Sequence, residues 1–260
     1  MIFKSCYSSI LLQSILYTNI KNSSSLCLSK KLLEIIPDFP ISSDKFEQFD
    51  PNTNDVNNLM YVTHILNKTM SPQSILVLKK WREKKIKEMG EVQLEQYIKD
   101  IMNIGTQVHR IFDQYLEDKE IPYLNSCVEG FFKSAQEILS CSQTICGDDK
   151  TVSHSSLLYK GILDNIIVLK NNKEIVEFKT KNESRRVSAF KDTYDDPIQL
   201  AAYIGAYNFG KPSNEQIIRG RLIYAYKDGY PATDFLIHGK HLNQSWEMWK
   251  KRLVKYFENK

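Results

Sequence analysis

Apolar residues recur at helical spacing through the first half of the chain and in short continuous runs through the second. The stretch "SPQSILVLKKWREKKIKEMG", residues 71–90, opens with Ser71 as an N-cap and Pro72 at the first helical position, and it closes at Gly90. Ile75, Leu78, Trp81 and Ile86 form its apolar side. A long helix is predicted over 92–118, where Leu94, Tyr97, Ile101, Val108, Ile111, Phe112 and Tyr115 fall near helical spacing. Another follows Pro122, at about 125–140. Strands are then expected at 159–169 and 174–181. "DDPIQLAAYIGAYNF" starts a helix with Asp196 as N-cap and Pro197 at its first position. "RLIYAYKDGYPATDFLIH" reads as a second hairpin turning at Asp228-Gly229. A final helix carries Trp246, Trp249, Leu253 and Tyr256. Residues 31–60 hold no sustained period and read as an irregular approach. The order defines a mixed α/β domain with a helical N-terminal part.

The strand pair at 159–181 sets charge among apolar residues. A two-residue turn at Asn171-Asn172 pairs Leu169 with Glu174, Ile166 with Glu177, and Asp164 with Lys179. Side chains alternate along a strand and opposed residues share a face, so Asp164, Glu177 and Lys179 point the same way. On a solvated face they amount to an exposed ion pair worth about 0–1 kcal/mol. Ile162, Ile166, Val168 and Ile175 share that face, however, which argues for cover. Two buried carboxylates so close repel unless a cation lies between them. A divalent metal takes oxygen ligands readily and can make a water acidic beside a phosphoryl group.

Composition narrows this picture only slightly. The 260 residues are those of an ordinary globular chain, with no apolar run long enough to span a bilayer. The formal net charge is +4, and its basic residues gather at 79–87, 179–191 and the C-terminus, which suits a polyanionic partner. Solvated helix faces are the other reading of each cluster. Five cysteines without a C-x-x-C pair indicate reduced thiols, not a disulfide framework or a zinc site. Residues 1–30 lack acidic side chains and are rich in serine, with lysines spaced among apolar residues, as in a mitochondrial transit peptide. A secretory signal is the rival reading, against which the unpaired cysteines count.

Gly161-x-x-Asp164 followed by Glu177-x-Lys179 resembles the core of the PD-(D/E)XK nucleases. Leu163 stands where that core usually has proline. "GTQVH", Gly105 to His109, is similar to the G-T-x-x-H signature of the RecB-like branch. Gln199 and Tyr203 match its Q-x-x-x-Y motif, four apart on one helix face. Within the branch, residues 60–255 look most like the mitochondrial genome maintenance exonucleases.

The resemblance implies a restriction-endonuclease-like core, a mixed central sheet flanked by helices. It also implies domain limits of 1–30 for a transit peptide, 31–60 for an irregular segment and 61–260 for the nuclease domain. Asp164 and Glu177, with His109, would bind Mg2+ or Mn2+. Lys179 would position and activate water, while Gln199 and Tyr203 would support the site. The family's usual upstream glutamate is replaced by "CGDDKTVSHSS", where Asp149 or Asp148 is the candidate ligand. Trp81, Arg82 and Lys85, with Thr180, Lys181, Arg185 and Arg186, are expected on the nucleic-acid path. The expected protein is a monomeric, membrane-free, metal-dependent single-stranded DNA exonuclease of the mitochondrial matrix, acting in DNA replication, repair or maintenance. Two alternatives stay open: an inactive nucleic-acid-binding module of the same fold, and a metal-dependent hydrolase of other phosphate esters.

Overall fold

Fully covered strands need apolar residues on both faces, and the strand sequences here meet that demand. A computed structural model describes residues 59–147, 149–182 and 186–259. The leader at 1–30, nearly all of 31–60, Asp148 and Arg185 lie outside the described residues. Six helices appear among them: α1 (Val62–Lys68), α2 (Pro72–Met89), α3 (Glu91–Asp118), α4 (Glu129–Ser140), α5 (Asp196–Asn208) and α6 (Gly239–Glu258). The strands are β1 (Met60–Tyr61), β2 (Ser142–Thr144), β3 (Thr151–His154), β4 (Tyr159–Ile162), β5 (Asn165–Leu169), β6 (Asn172–Lys181), β7 (Arg219–Tyr226) and β8 (Thr233–His238).

The main sheet has the order β2-β5-β6-β7-β8, with only β6 and β7 parallel. Its two faces are covered separately. Ile166, Ile175, Leu222, Tyr224 and Tyr226 pack with α1, α5 and α6. Ile167, Leu169, Val176, Phe178, Ile223 and Ala225 pack with α3 and α4. Burial on both sides explains the apolar run 222–226 in β7 and the apolar Ile175, Val176 and Phe178 of β6. A smaller sheet, β1-β4-β3, lies beside it.

The expected mixed α/β architecture is observed, and several local expectations change. Residues 159–169 are not one strand: the chain leaves β4 after Ile162, bends at Leu163-Asp164, and enters β5 in the other sheet. The hairpin turns one residue earlier than expected, at Lys170-Asn171, both with positive φ (50° and 61°) as a type I′ turn requires. The Asn172 side chain closes that turn by donating to the Lys170 carbonyl at 2.8 Å. Ile166 therefore faces Ile175, and Ile167 faces Glu174. Pairs move by two residues, so side chains within β5 and β6 keep their expected faces. Asp164, expected opposite Lys179, instead lies outside the ladder and meets His109 on α3, and Ile162 belongs to the other sheet. Asp195, not Asp196, is the flanking residue of α5. The β7–β8 connection runs from 227 to 232 instead of turning tightly at Asp228-Gly229. Helix α2 buries none of its residues, and Ile75 on its expected apolar side is exposed.

The last helix packs through Trp246 and Trp249, both fully buried. Close approach to α5 is possible because Gly205 stands opposite Trp246. A Cβ there would meet Trp246 Cζ3 at 2.3 Å and the Tyr159 hydroxyl at 3.1 Å. Neither ring can retreat, since both are fully buried. Gly205→Ala should lower unfolding free energy by about 1–2 kcal/mol, overpacking outweighing the better helix propensity of alanine. Urea denaturation of the full chain measures this; an unchanged midpoint would mean the α5–α6 contact is looser than described.

Candidate functional site

Strand β6 outruns its neighbour. Pairing with β5 stops at Asn165–Val176, while pairing with β7 continues to Lys181. From Glu177 onward the β5 side of β6 is therefore an open backbone edge, and buried backbone donors must find other partners. Asp164, at the bend before β5, supplies one: its Oδ2 accepts from the Phe178 amide at 2.6 Å. The other oxygen, Oδ1, lies 3.2 Å from His109 Nδ1 on α3.

Asp164 is held there from behind. The buried Asn165 donates to Asp113 Oδ1 at 2.9 Å and accepts from Thr144 Oγ1 at 2.7 Å. Lys150 Nζ lies 2.7 Å from the other Asp113 oxygen. Asp113 is one helical turn beyond His109, so one face of α3 grips two successive residues of the bend.

Glu177 and Lys179 project from the opposite face of β6, toward α5. Lys179 Nζ donates to Glu177 Oε1 at 2.8 Å and to Gln199 Oε1 at 3.0 Å. Gln199 Nε2 returns a bond to Glu177 Oε1 at 2.8 Å and reaches the Tyr203 hydroxyl at 2.9 Å. Gly161 accounts for the glycine of the Gly-x-x-Asp motif: a Cβ on it would strike Tyr203 Cε1 at 2.3 Å. Gly105 has the milder role of bringing α3 near Thr180, whose Oγ1 is 3.9 Å from the site of a Cβ.

Two further residues complete the cluster. Asp196, buried at the start of α5, is 3.4 Å from Lys179 Nζ and accepts from the Tyr224 hydroxyl at 2.7 Å. Sequence reasoning treated Asp196 only as a cap. Its spacing of three from Gln199 puts both on one helix face, a signal that was available. Tyr224 carries no such signal, since it becomes the neighbour of Lys179 only through the parallel β6–β7 register.

Electrostatics follow from burial and sign. Burial raises the Glu177 pKa, nearby Asp164 adds to it, and the group reaches about 7 despite Lys179. Burial opposes charge on Asp164, but His109 outweighs it and holds Asp164 below the usual carboxylate range. Burial likewise opposes the imidazolium of His109, and Asp164 reverses this, raising its pKa to about 9. Lys179 stays a cation because Asp196 and Glu177 overcome its desolvation.

Whether these residues fit a divalent cation rests on Glu177. Its Oε2 is buried with no hydrogen-bond partner, a costly state that a cation would relieve. Asp164 and Glu177 are the hard oxygen donors that Mg2+ or Mn2+ favour, with His109 in contact with Asp164. Among the described residues no group of three or more His, Cys, Asp or Glu forms a ready cage, which leaves Asp164 and Glu177 as the candidate donors. Asp149 is not brought in. It is exposed on the connection before β3, and its Oδ1 accepts from the Thr151 amide at 2.9 Å, forming an Asx turn.

The residues expected along a nucleic-acid path are dispersed. Trp81 is half-buried on α2, Arg82 pairs with exposed Glu91 at 3.3 Å, and Lys85 pairs with Glu88 at 2.7 Å. Thr180 and Lys181 continue β6, the Lys181 ammonium lying 5.1 Å from the Tyr224 ring centre. Arg186 is engaged within the fold. Its guanidinium lies in the corner between Tyr226 and Tyr230, 4.5 and 4.3 Å from the centres of these edge-to-face rings, and pairs with Asp228 at 2.5 Å. It ties the chain at Arg186 to the β7–β8 connection.

Fold and site together define a mixed α/β protein with a buried Glu and a partly buried Asp and Lys clustered at an open strand edge. Sequence comparison makes the relationship particular. The chain is 30% identical over 206 residues to Mitochondrial genome maintenance exonuclease 1 of Mus musculus, covering 78% of this chain and 60% of that protein. The Homo sapiens protein of that name is 28% identical over 229 residues, 85% of this chain and 66% of its own. That of Xenopus tropicalis is 30% identical over 210 residues, 76% and 57%. The chain is a relative of the mitochondrial genome maintenance exonucleases and spans between 57% and 66% of the length of these three. No family model matches it. A solved structure, the crystal structure of SSO0001, covers 90% of this chain and 84% of its own, at a TM-score of 0.38 and 16% identity, and adds nothing to the assignment.

The His109–Asp164 pair has a pH signature in chelating buffer. With its pKa raised in the folded state, His109 contributes stability that is fully present below about pH 6.5 and lost as pH rises through about 9. Glu177, raised to about 7, makes its own loss mainly below that window. Thermal melting of the metal-free full chain should therefore show Tm falling between pH 7.5 and 9.5 as an order-of-magnitude window. His109→Asn should flatten that fall. An equal slope in the variant would assign the loss elsewhere.

Proposed function

We propose that the protein is a metal-dependent exonuclease that hydrolyses phosphodiester bonds of single-stranded DNA at free ends or flaps, in the maintenance of mitochondrial DNA. One observation carries this reading. Glu177 offers a buried oxygen without a partner beside Asp164, while Lys179 is clamped next to it as a cation. The names of the three relatives support the nuclease and mitochondrial parts. Among the described residues no helix is long and apolar enough to cross a membrane.

Asp164 and Glu177 would hold Mg2+ or Mn2+, with His109 orienting Asp164 from behind. A divalent cation bound there supplies charge stabilisation at a phosphoryl oxygen and a more acidic water. The remaining work belongs to the chain. Lys179 directs its N–H donors at the attacking water and at negative charge developing on the phosphate. Gln199 fixes both Lys179 and Glu177 through its two amide atoms, and Tyr203 fixes Gln199. Asp196 keeps Lys179 from collapsing wholly onto Glu177 by offering a second carboxylate 3.4 Å away.

The test uses the full chain with end-labelled single-stranded DNA, duplex DNA and RNA in Mg2+, Mn2+ or EDTA. Single-stranded DNA should shorten only with metal. Lys179→Ala should cut at least about 100-fold more slowly with binding retained, as loss of one transition-state donor costs. A wild type that binds DNA without cutting it in either metal makes the protein a binding module. Cleavage that persists in EDTA removes the metal from the mechanism.

A further inference from the structure

Tyr194 holds a backbone conformation that few non-glycine residues adopt, φ 53° and ψ −124°. Such strain costs roughly 1–3 kcal/mol and persists only where neighbouring structure over-determines it. Here both flanks are fixed. On one side lies the short 3-10 turn Phe190–Thr193, whose Phe190 stacks on His241 at 5.0 Å and whose Thr193 is buried. On the other, Arg252 binds both oxygens of Asp195 at 2.9 and 2.8 Å and also donates to the Thr69 carbonyl. Asp196 follows, buried against Lys179 and Tyr224.

The side chain mounted on this strained position is only partly covered by the fold. It is 44% exposed, and it makes no hydrogen bond or ring contact with another described residue. A side chain with no polar or ring partner among the described residues leaves part of its ring open, and the strained backbone fixes where that open part is put. Tyr194 lies two positions before Asp196, a Cα separation of at most about 7 Å, which places it near the Lys179 end of the cluster. Lys191, exposed on the preceding turn, supplies a cation three positions away.

We propose that Tyr194 is a stacking platform for one nucleobase of the single strand whose phosphates run past Lys179. This rests on the nuclease reading and adds a substrate contact to it. A base is the occupant that fits: a lone aromatic face on a rigid mount beside phosphate-seeking cations is the single-strand-binding arrangement, tolerant of sequence because every base has a π-face. A protein partner would need a contiguous apolar patch, and one isolated ring does not supply it.

Fluorescence anisotropy of the full chain in EDTA, with a labelled oligo-dT and an abasic strand of equal length, tests the proposal. Tyr194→Ala should weaken oligo-dT binding about 5- to 150-fold, the range of one base–aromatic stack, and leave abasic binding unchanged. Tyr194→Phe, which keeps the face, should restore oligo-dT affinity. Equal losses on both strands, or no loss on oligo-dT, overturn the proposal while wild-type binding keeps the nuclease reading alive. A wild type that binds neither strand and cuts neither in metal removes both readings. Tyr194→Gly, suited to this backbone, should leave Tm at or above the wild-type value; a drop of several degrees means the ring is packed and overturns the proposal independently.

Discussion

Everything at the site depends on two carboxylates being kept close inside a sheet covered on both faces. Asp164 and Glu177 repel, and burial removes the water that would screen them. The fold answers with one cation for each. His109 meets Asp164 from α3 on one side of the sheet, and Lys179 meets Glu177 on the α5 side. Because desolvation costs each buried ion several kcal/mol, roughly, these pairs are weak contributors to stability and strong constraints on position. Glu177 remains the unbalanced member, with its pKa pushed to about 7 and one oxygen unbonded. The imbalance marks where an external positive charge is wanted.

Geometry for this comes from a strand that stops early. Had 159–169 run as one strand, Asp164 would have been held in the ladder with its carboxylate fixed on one face of the sheet. The bend at Leu163-Asp164 frees the carboxylate to lie in the sheet plane and bond the Phe178 amide, standing in for a strand carbonyl. It can then touch α3 on one face while its charge is felt by Glu177 on the other. Asn165 makes the bend rigid by tying it to Asp113.

Much of this was legible in the chain. The apolar periodicity marked α2, α3, α5 and α6, and the side-chain alternation set Glu177 and Lys179 on one face even though the turn was misplaced by one residue. The two-residue shift in pairing keeps Glu177 and Lys179 on their face, but the expected pairing of Asp164 with Lys179 fails because Asp164 lies outside β5. The i, i+4 spacing of Gln199 and Tyr203 likewise survives any detail of register. What could not be read depends on contacts between distant segments. The short strands β1, β2 and β3 carry two to four residues each, too few for a pattern. Tyr224 and Asp113 enter only through sheet order and helix docking. Arg186 looked like a free surface cation because sequence gives no hint of Tyr226 and Tyr230 closing on it.

The same contrast separates the polar residues of α5 from their surroundings. That helix is buried almost all round, so its polar side chains cannot be there for solubility. Asn208 is accounted for locally, bonding both the amide and carbonyl of Ile217. Asp196 and Gln199 turn toward β6 and spend their bonds on Glu177, Lys179 and the tyrosines at 203 and 224. Replacing them by apolar residues would make a better core. A helix otherwise apolar enough to be interior has therefore been given its buried polar groups where they hold Lys179, and the position of that ammonium is what those groups secure.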